Sequence, residues 1–251
     1  MNTDLVRFEK KGKVGIISLC AKTNILGPKT NPSLKEALKI ANDDSDVAVI
    51  ILAGNGAKSW VAGADLKTMQ HLDPPGAVDF ITELHEVIAT VREIGKPVIA
   101  SINGHCYGGG LELAIACDFL LASETATFGM QEVVLGMPSV IEASLFPFMC
   151  GMAKTREWLL LGEVFDAAAA ERYNLVNYVV TPEKLDQEAM KWAEKFAALP
   201  PHALKLQKQL MFRWLENAGL EASTKNGIDF FGVSYSFNVT QPKLQEMFKK
   251  K

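Results

Sequence analysis

The sequence has no large excess of charge of either sign: 26 lysines and arginines oppose 29 aspartates and glutamates, for a formal net charge of -3 at pH 7. So small a net charge produces no strong field to attract a polyanion, and we expect no nucleic-acid partner. Long hydrophobic runs are missing near the start, because the run 14–20 is too short to span a bilayer. We therefore expect neither a signal peptide nor a membrane helix, and a cytoplasmic protein.

Close cysteine pairs are also missing. The four cysteines are scattered: Cys20, Cys106, Cys117 and Cys150. This spacing argues against zinc ribbons and redox motifs and favours buried free thiols in a reducing compartment. For His105, which lies beside Cys106, a turn or core role is favoured over a metal site. We predict no metal ion and no redox cofactor.

The sequence does contain an alternation of β-branched runs and helical patterns. We predict strands at 14–19, 47–53, 98–102, 118–122 and 127–128, and helices at 28–42, 77–94 and 111–116. An α/β core follows from this alternation.

The last quarter changes character, with helices predicted at 182–199, 201–218 and 220–236 and little strand signal between them. Exposed aromatic residues there, such as Trp214, would be costly in a free monomer, so this part should pack on its own core or on a neighbouring subunit. We divide the chain into a core, 1–195, and a helical oligomerisation region, 196–251.

Two glycine-rich turns follow predicted strands, at 54–66 and 104–112. In both, the backbone can approach a ligand closely and present free N–H groups at a helix start. Two such donors aimed at one developing oxyanion can each contribute about 3 kcal/mol in a dry site. Taken singly, each glycine run is more often only a tight turn. Neither has phosphate-loop or dinucleotide spacing, which disfavours nucleotide hydrolysis.

Two glutamates stand out near the second turn. Glu112 lies within an apolar segment, where a buried carboxylate needs a specific reason, and Glu132 follows twenty positions later. In isolation, a solvated or capping glutamate is the favoured interpretation of either one. If both line one cavity, burial and mutual repulsion raise one pKa and create an acid and base pair.

These residues resemble the crotonase superfamily, which contains the enoyl-CoA hydratases and isomerases, and the resemblance covers nearly the whole chain. Its landmarks occur in order at 24–26, 46–47, 60–66, 96–100, 103–104, 108–112, 117–118, 128–129 and Glu132. The resemblance implies a spiral of repeated strand, strand and helix (ββα) units with a C-terminal helical trimerisation region. It also implies assembly as a homotrimer or a dimer of trimers.

By this resemblance, the N–H groups of Ala64 and Gly109 form the oxyanion hole, and Glu112 and Glu132 are the acid/base pair. The substrate is an acyl-CoA, so coenzyme A enters as part of the substrate and no separate cofactor is expected. The residues expected to bind substrate are Lys22, Ala62, Asp65, Leu66, Lys67, Ser139 and Glu142. For Lys22, a surface lysine without a ligand remains an equal alternative.

The acid pair favours hydration of an α,β-unsaturated acyl-CoA. Alternatives are another acyl-CoA reaction (isomerisation, decarboxylation or thioester hydrolysis) or a non-catalytic acyl-CoA-binding or RNA-binding relative. Residues 136–142 depart from the family's glycine-rich stretch, so that Glu142 either faces the pocket or is a salt-bridged structural glutamate. Asn174 replaces a common glycine and can adopt the same left-handed cap. Residues 70–80 are expected to form a wall of the acyl pocket, and within them the breaker-rich stretch 71–76 has the composition of a mobile loop near the acyl end.

Overall fold

The computed structural model describes residues 3–55 and 58–216. Its strands are β1 (Val6–Lys11), β2 (Val14–Leu19), β3 (Val49–Gly54), β4 (Ser59–Val61), β5 (Val98–Ile102), β6 (His105–Tyr107), β7 (Phe119–Ser123), β8 (Thr127–Gly129), β9 (Val164–Asp166) and β10 (Tyr178–Val180). Its α-helices are α1 (Asn31–Asp43), α2 (Leu66–Met69), α3 (Pro74–Glu93), α4 (Gly109–Ile115), α5 (Phe146–Leu161), α6 (Ala167–Arg172), α7 (Leu185–Ala197) and α8 (Pro201–Glu216). Short 3₁₀ helices span Glu132–Leu135, Ile141–Leu145 and Pro182–Lys184.

The strands form two sheets. One has six strands in the order β1-β2-β3-β5-β7-β10, and the other has four in the order β4-β6-β8-β9. Apart from the β1–β2 hairpin and the β8–β9 pair, neighbouring strands run parallel. The central strands of the larger sheet are buried on both faces, because helices cover them, and they therefore read as continuous apolar runs.

A repeated ββα unit links the sheets. A long strand of the larger sheet (β3, β5 or β7) is each time followed by a short strand of the smaller sheet (β4, β6 or β8) and then by a helix. Because equivalent strands stack side by side in each sheet, the chain advances as a spiral. The predicted fold class, an α/β spiral of ββα units, is confirmed.

Helix α3 corrects one sequence interpretation. The stretch 71–76 was expected to be a mobile loop, but the helix begins at Pro74, and the side chain of Asp73 accepts a hydrogen bond from the Gly76 N–H at 2.9 Å. Pro74 and Pro75 stand in the first turn, where a missing N–H is harmless and a fixed φ suits the helix. These prolines start a helix and do not interrupt one. The buried face of α3 packs on α1 and α4.

Helix α8 docks on the core through a buried cation. The ammonium of Lys208, 3% exposed, donates to Asp118 Oδ2 at 2.7 Å and to the carbonyl of Val91 at 2.8 Å. Asp118 Oδ2 also accepts from the N–H of Val98 at the start of β5. The described part of the C-terminal region therefore packs on its own chain. The helix predicted at 220–236 lies outside the described residues.

Asn174 has φ of 63°, so the predicted left-handed cap is confirmed. Among the described residues, no helix is long and apolar enough to cross a bilayer. The same part of the chain holds no cluster of three His, Cys, Asp or Glu side chains suited to a metal ion.

Candidate active site

Two backbone turns meet at one point because the strands that precede them pair. Strand β4 runs parallel to β6, so the turns that follow them lie side by side. Ala64, in the first turn, is held by a parallel bridge in which the Leu26 N–H donates to Gly63 O at 2.9 Å and the Asp65 N–H to Leu26 O at 2.8 Å. A Cβ built on Gly109, in the second turn, would lie 3.8 Å from the Ala64 nitrogen.

The N–H groups of Ala64 and Gly109 are available to a ligand. Gly109 is the first residue of α4, and the first N–H groups of a helix have no intrahelical acceptor. Within residues 3–55 and 58–216, neither N–H has a hydrogen-bond acceptor in the protein. Both residues line the same cavity, so the two predicted oxyanion donors are brought together.

Glu112 projects from the first turn of α4 and is only 4% exposed. Its Oε1 accepts a hydrogen bond from the Ala143 N–H at 2.9 Å. The pKa of Glu112 is raised to about 8, chiefly because the carboxyl group is buried; the Ala143 N–H lowers this pKa and the charges of Glu132 and Glu142 raise it. Glu112 therefore holds a proton at neutral pH in the free protein.

Glu132 is the first residue of the 3₁₀ helix Glu132–Leu135, and two residues separate it from the end of β8. Its Oε2 accepts a hydrogen bond from the hydroxyl of Ser139 at 3.0 Å. Its Oε1 occupies space beside Gly108, where a Cβ would come within 2.7 Å of that oxygen. Gly108 has φ of 50°, a conformation that L side chains rarely adopt, so glycine is favoured there, and a larger residue would also displace the carboxylate of Glu132.

A cavity of about 220 Å³ joins these groups. Glu112, Glu132, Ala64 and Gly109 line it together with apolar side chains: Met69, Leu72, Ala77, Phe80, Ile81, Leu84, Met137, Pro138 and Val140. A second chamber of about 120 Å³ shares Ala64, Gly109 and Glu132 with it. Two N–H donors and two carboxyl groups in an apolar enclosure can stabilise an enolate and move protons beside it.

Comparison with known proteins places this geometry in a family. The sequence model of the enoyl-CoA hydratase/isomerase family matches residues 9–239. The chain belongs to the enoyl-CoA hydratase/isomerase family. A probable enoyl-CoA hydratase of Rhizobium meliloti is 39% identical over 221 residues, 86% of this chain and 84% of that protein. A crotonyl-CoA hydratase of Syntrophomonas wolfei is 37% identical over 236 residues, 91% of this chain and 89% of that protein.

The fold of this family member agrees with a solved structure. A crystal structure of an enoyl-CoA hydratase subunit from Geobacillus kaustophilus superposes with a TM-score of 0.92 and 29% identity, covering 98% of this chain and 96% of that one.

Of the residues predicted to bind substrate in this hydratase/isomerase family member, some line a chamber and others do not. Ala62 and Leu66 line the second chamber. Asp65 caps α2, where its Oδ1 accepts hydrogen bonds from the N–H groups of Lys67 and Thr68 at 3.1 and 3.3 Å. Lys22 and Lys67 are exposed, and within the described part of the chain they line neither chamber.

Ser139 was expected to bind substrate, and Glu142 was left open between two alternatives. Ser139 lines neither chamber, and its hydroxyl donates to Oε2 of Glu132, one of the two carboxyl groups of the cavity. The carboxylate of Glu142 is 2% exposed and lies 2.9 Å from the Arg92 Nη2 and 3.0 Å from the His85 Nδ1. Of its two alternatives, the structure supports the salt-bridged glutamate and not the pocket-facing carboxylate. Among the described residues, Glu142 does not line either chamber.

Residues 70–80 were expected to form a pocket wall, and Leu72, Ala77 and Phe80 do line the cavity; the continuation of this wall along α3 to Ile81 and Leu84 was not predicted. Ala77, Phe80, Ile81 and Leu84 recur at helical spacing and line the cavity. The periodicity identified the helix, but a buried face against the core and a face against a ligand give the same pattern. Arg92 and His85 were also missed, since no local pattern links them to Glu142.

Proposed function

We propose that the protein catalyses addition of water to the double bond of an α,β-unsaturated acyl-CoA, and the reverse dehydration. The observation that carries the proposal is the presence of two carboxyl groups, Glu112 and Glu132, in the cavity that the free N–H groups of Ala64 and Gly109 also line. The relatives from R. meliloti and S. wolfei, named as hydratases, support the same reaction.

In this proposal the thioester oxygen accepts hydrogen bonds from the N–H groups of Ala64 and Gly109. When water adds at the β-carbon, negative charge moves to that oxygen and an enolate develops. Backbone donors that are already in place stabilise this charge without reorganisation, and each is worth about 3 kcal/mol in a dry site. The donors come from the backbone of two turns, so they need no side chain to be ordered.

Two carboxyl groups are required because water addition moves two protons. Glu112 takes a proton from water as the oxygen attacks the β-carbon, and Glu132 delivers its proton to the α-carbon. Glu112 ends protonated and Glu132 ionised. Isomerisation of a double bond moves one proton between two carbons, which a single carboxyl group can do. The second carboxyl group therefore favours hydration.

The protonation of Glu112 bears on the direction of the reaction. With its pKa raised to about 8 by burial, the free protein holds the proton on Glu112 at neutral pH. This is the state from which dehydration begins, since Glu112 then donates to the leaving hydroxyl group. Hydration begins from the state in which Glu132 holds the proton. Both directions need one proton on the pair, so we expect kcat/KM to fall above about pH 8.

The second chamber, lined by Ala62 and Leu66, is proposed to receive the thioester end of coenzyme A, and the apolar cavity the acyl chain. A homotrimer or dimer of trimers is part of the same proposal. Apolar side chains that are more than half exposed on the described surface support assembly, among them Val134, Phe148 and Leu160 at 66%, 67% and 70%. Sedimentation as a monomer at micromolar concentration would refute assembly.

The function is tested with a panel of enoyl-CoA thioesters of increasing chain length. Loss of the conjugated chromophore is followed and the product is identified by mass as the substrate plus water. Glu112→Gln and Glu132→Gln should each lower kcat by about 100-fold to 10,000-fold while substrate binding is retained. A protein that adds water to no member of the panel is not a hydratase, and a variant with unchanged turnover removes that glutamate from the mechanism.

A further inference from the structure

A partly buried cluster of ionisable side chains lies behind the wall of the proposed acyl cavity. Glu142, from the 3₁₀ helix Ile141–Leu145, places its Oε1 within 2.9 Å of the Arg92 Nη2 and 3.0 Å of the His85 Nδ1, both on α3. The exposed fraction of the Glu142 side chain is 2% and that of Arg92 is 26%. The cluster therefore ties the 3₁₀ helix to α3.

The residue after Glu142 contacts the acid pair directly. The Ala143 N–H donates to Glu112 Oε1 at 2.9 Å, and within the described residues it is the one donor to that carboxyl group. The 3₁₀ helix packs on both α3 and α4, but its start at Val140 has no side-chain cap. At its other end it continues directly into α5, and Glu142 is its one charged side chain, directed at α3.

We propose that Arg92 and Glu142 are positioning residues: their ion pair holds the 3₁₀ helix so that the Ala143 N–H fixes the carboxyl group of Glu112 for proton transfer. The inference rests on the proposed function, because Glu112 is there assigned the transfer of a proton between water and the β-carbon. Neither Arg92 nor Glu142 touches the cavity, and both act through Ala143.

Stability alone is a poor account of this cluster. A buried ion pair gains about as much as it loses by desolvation, and an apolar pair of similar volume is often equal or better. Here the hydrogen bonding is also incomplete, because Glu142 Oε2 and Arg92 Nε are buried without a partner among the described residues. A fixed geometry at Glu112 is what the charged pair supplies and an apolar pair would not.

The charges give the inference a second readout. Glu132 and Glu142 are the charged groups that act on Glu112, and both raise its pKa. Glu142 in turn faces the guanidinium of Arg92, which offsets its charge, and the imidazole of His85. The hydrogen bond from the Ala143 N–H lowers the pKa of Glu112 more strongly than the charge of Glu142 raises it, so release of Ala143 on loss of the ion pair should raise the pKa of Glu112 in both Glu142→Gln and Arg92→Met. Loss of the charges without movement of the 3₁₀ helix would instead lower this pKa in Glu142→Gln and raise it in Arg92→Met.

The experiment compares Glu142→Gln, Arg92→Met and Arg92→Lys with wild type on the best substrate of the enoyl-CoA panel. We expect kcat to fall about 10-fold to 100-fold in the first two variants, KM to change less than about threefold, and Arg92→Lys to recover part of the loss. The alkaline limb of kcat/KM should shift to higher pH in both Glu142→Gln and Arg92→Met. The matched control is Glu86→Gln, which breaks the exposed Lys35–Glu86 pair (3.0 Å), also on α3, and should leave kcat unchanged.

The carboxyl group of Glu112 can also be titrated without any reaction. Carbon-13 NMR of labelled glutamate, assigned with Glu112→Gln, measures its pKa in each folded variant. This measurement tests the positioning cluster even if wild type hydrates no enoyl-CoA and the proposed function fails. Upward shifts in both Glu142→Gln and Arg92→Met support the inference. Shifts in opposite directions, an unshifted Glu112, or wild-type kcat in both variants of an active enzyme would overturn it.

Discussion

Replacing Glu112 by glutamine should stabilise the protein at alkaline pH while it removes activity. The folded-state pKa of Glu112 is about 8, against the ordinary 4.5, because the carboxyl group is buried. Between these values the unfolded chain has lost this proton and the folded chain still holds it. The free energy of unfolding therefore falls with rising pH, by about 1.4 kcal/mol per pH unit for one proton.

Over the interval from 4.5 to about 8, this amounts to about 5 kcal/mol that ionisable Glu112 subtracts from stability at pH 8 and above. Glutamine has the same shape and carries no charge, and its amide oxygen can still accept the hydrogen bond from Ala143. We expect the advantage of Glu112→Gln over wild type to grow by about 4 kcal/mol from pH 5 to pH 8.

The assay is urea unfolding of wild type and Glu112→Gln at pH 5 and pH 8, at equal protomer concentration because assembly shifts apparent stability. The control is Glu36→Gln, which removes an exposed carboxylate of α1 and should give a difference that changes little with pH. An advantage of Glu112→Gln that is the same at both pH values would refute the buried, proton-holding state of Glu112.

Three other substitutions separate the site from the scaffold. Gly108→Ala would place a methyl group 2.7 Å from Glu132 Oε1, so we expect kcat/KM to fall about 10-fold or more. The control is Gly12→Ala, at a glycine with φ of 58° and open space around it, which should lower stability and leave activity intact. Equal activity of both alanine variants would contradict the contact. Lys208→Met leaves Asp118 buried without its ion pair, so the free energy of unfolding measured by urea titration should fall by about 3 to 5 kcal/mol. A loss below about 1 kcal/mol would show that the pair is dispensable.

The parts of the fold that the sequence predicts are those set by local patterns. The runs 14–19 and 98–102 are strands β2 and β5 with the predicted bounds, because central strands are apolar throughout. Strand β1, at the sheet edge, is mostly exposed and carries no apolar run, and β4 and β6 have three residues each, too few for a pattern. These strands become recognisable only through their pairing.

The candidate site divides in the same way. An apolar neighbourhood predicts that Glu112 is buried, and the glycine turns predict free N–H groups, because both depend on adjacent residues. The contacts of Glu112 with Ala143 and of Arg92 with Glu142 join residues 31 and 50 positions apart in sequence. No periodicity carries that information, so the sequence left the role of Glu142 open between two alternatives.

Around the cavity, the backbone supplies the N–H donors and the side chains supply the apolar wall, and this affects how specificity can change. The donors proposed to face the reacting oxygen are main-chain groups that survive almost any side-chain substitution, whereas one face of α3 supplies much of the acyl wall. Exchanges at Phe80 or Ile81 can therefore reshape the space for the acyl chain while the N–H groups of Ala64 and Gly109 stay in place. The fold thus lets substrate range evolve, or be engineered, one helix face at a time with the chemistry retained.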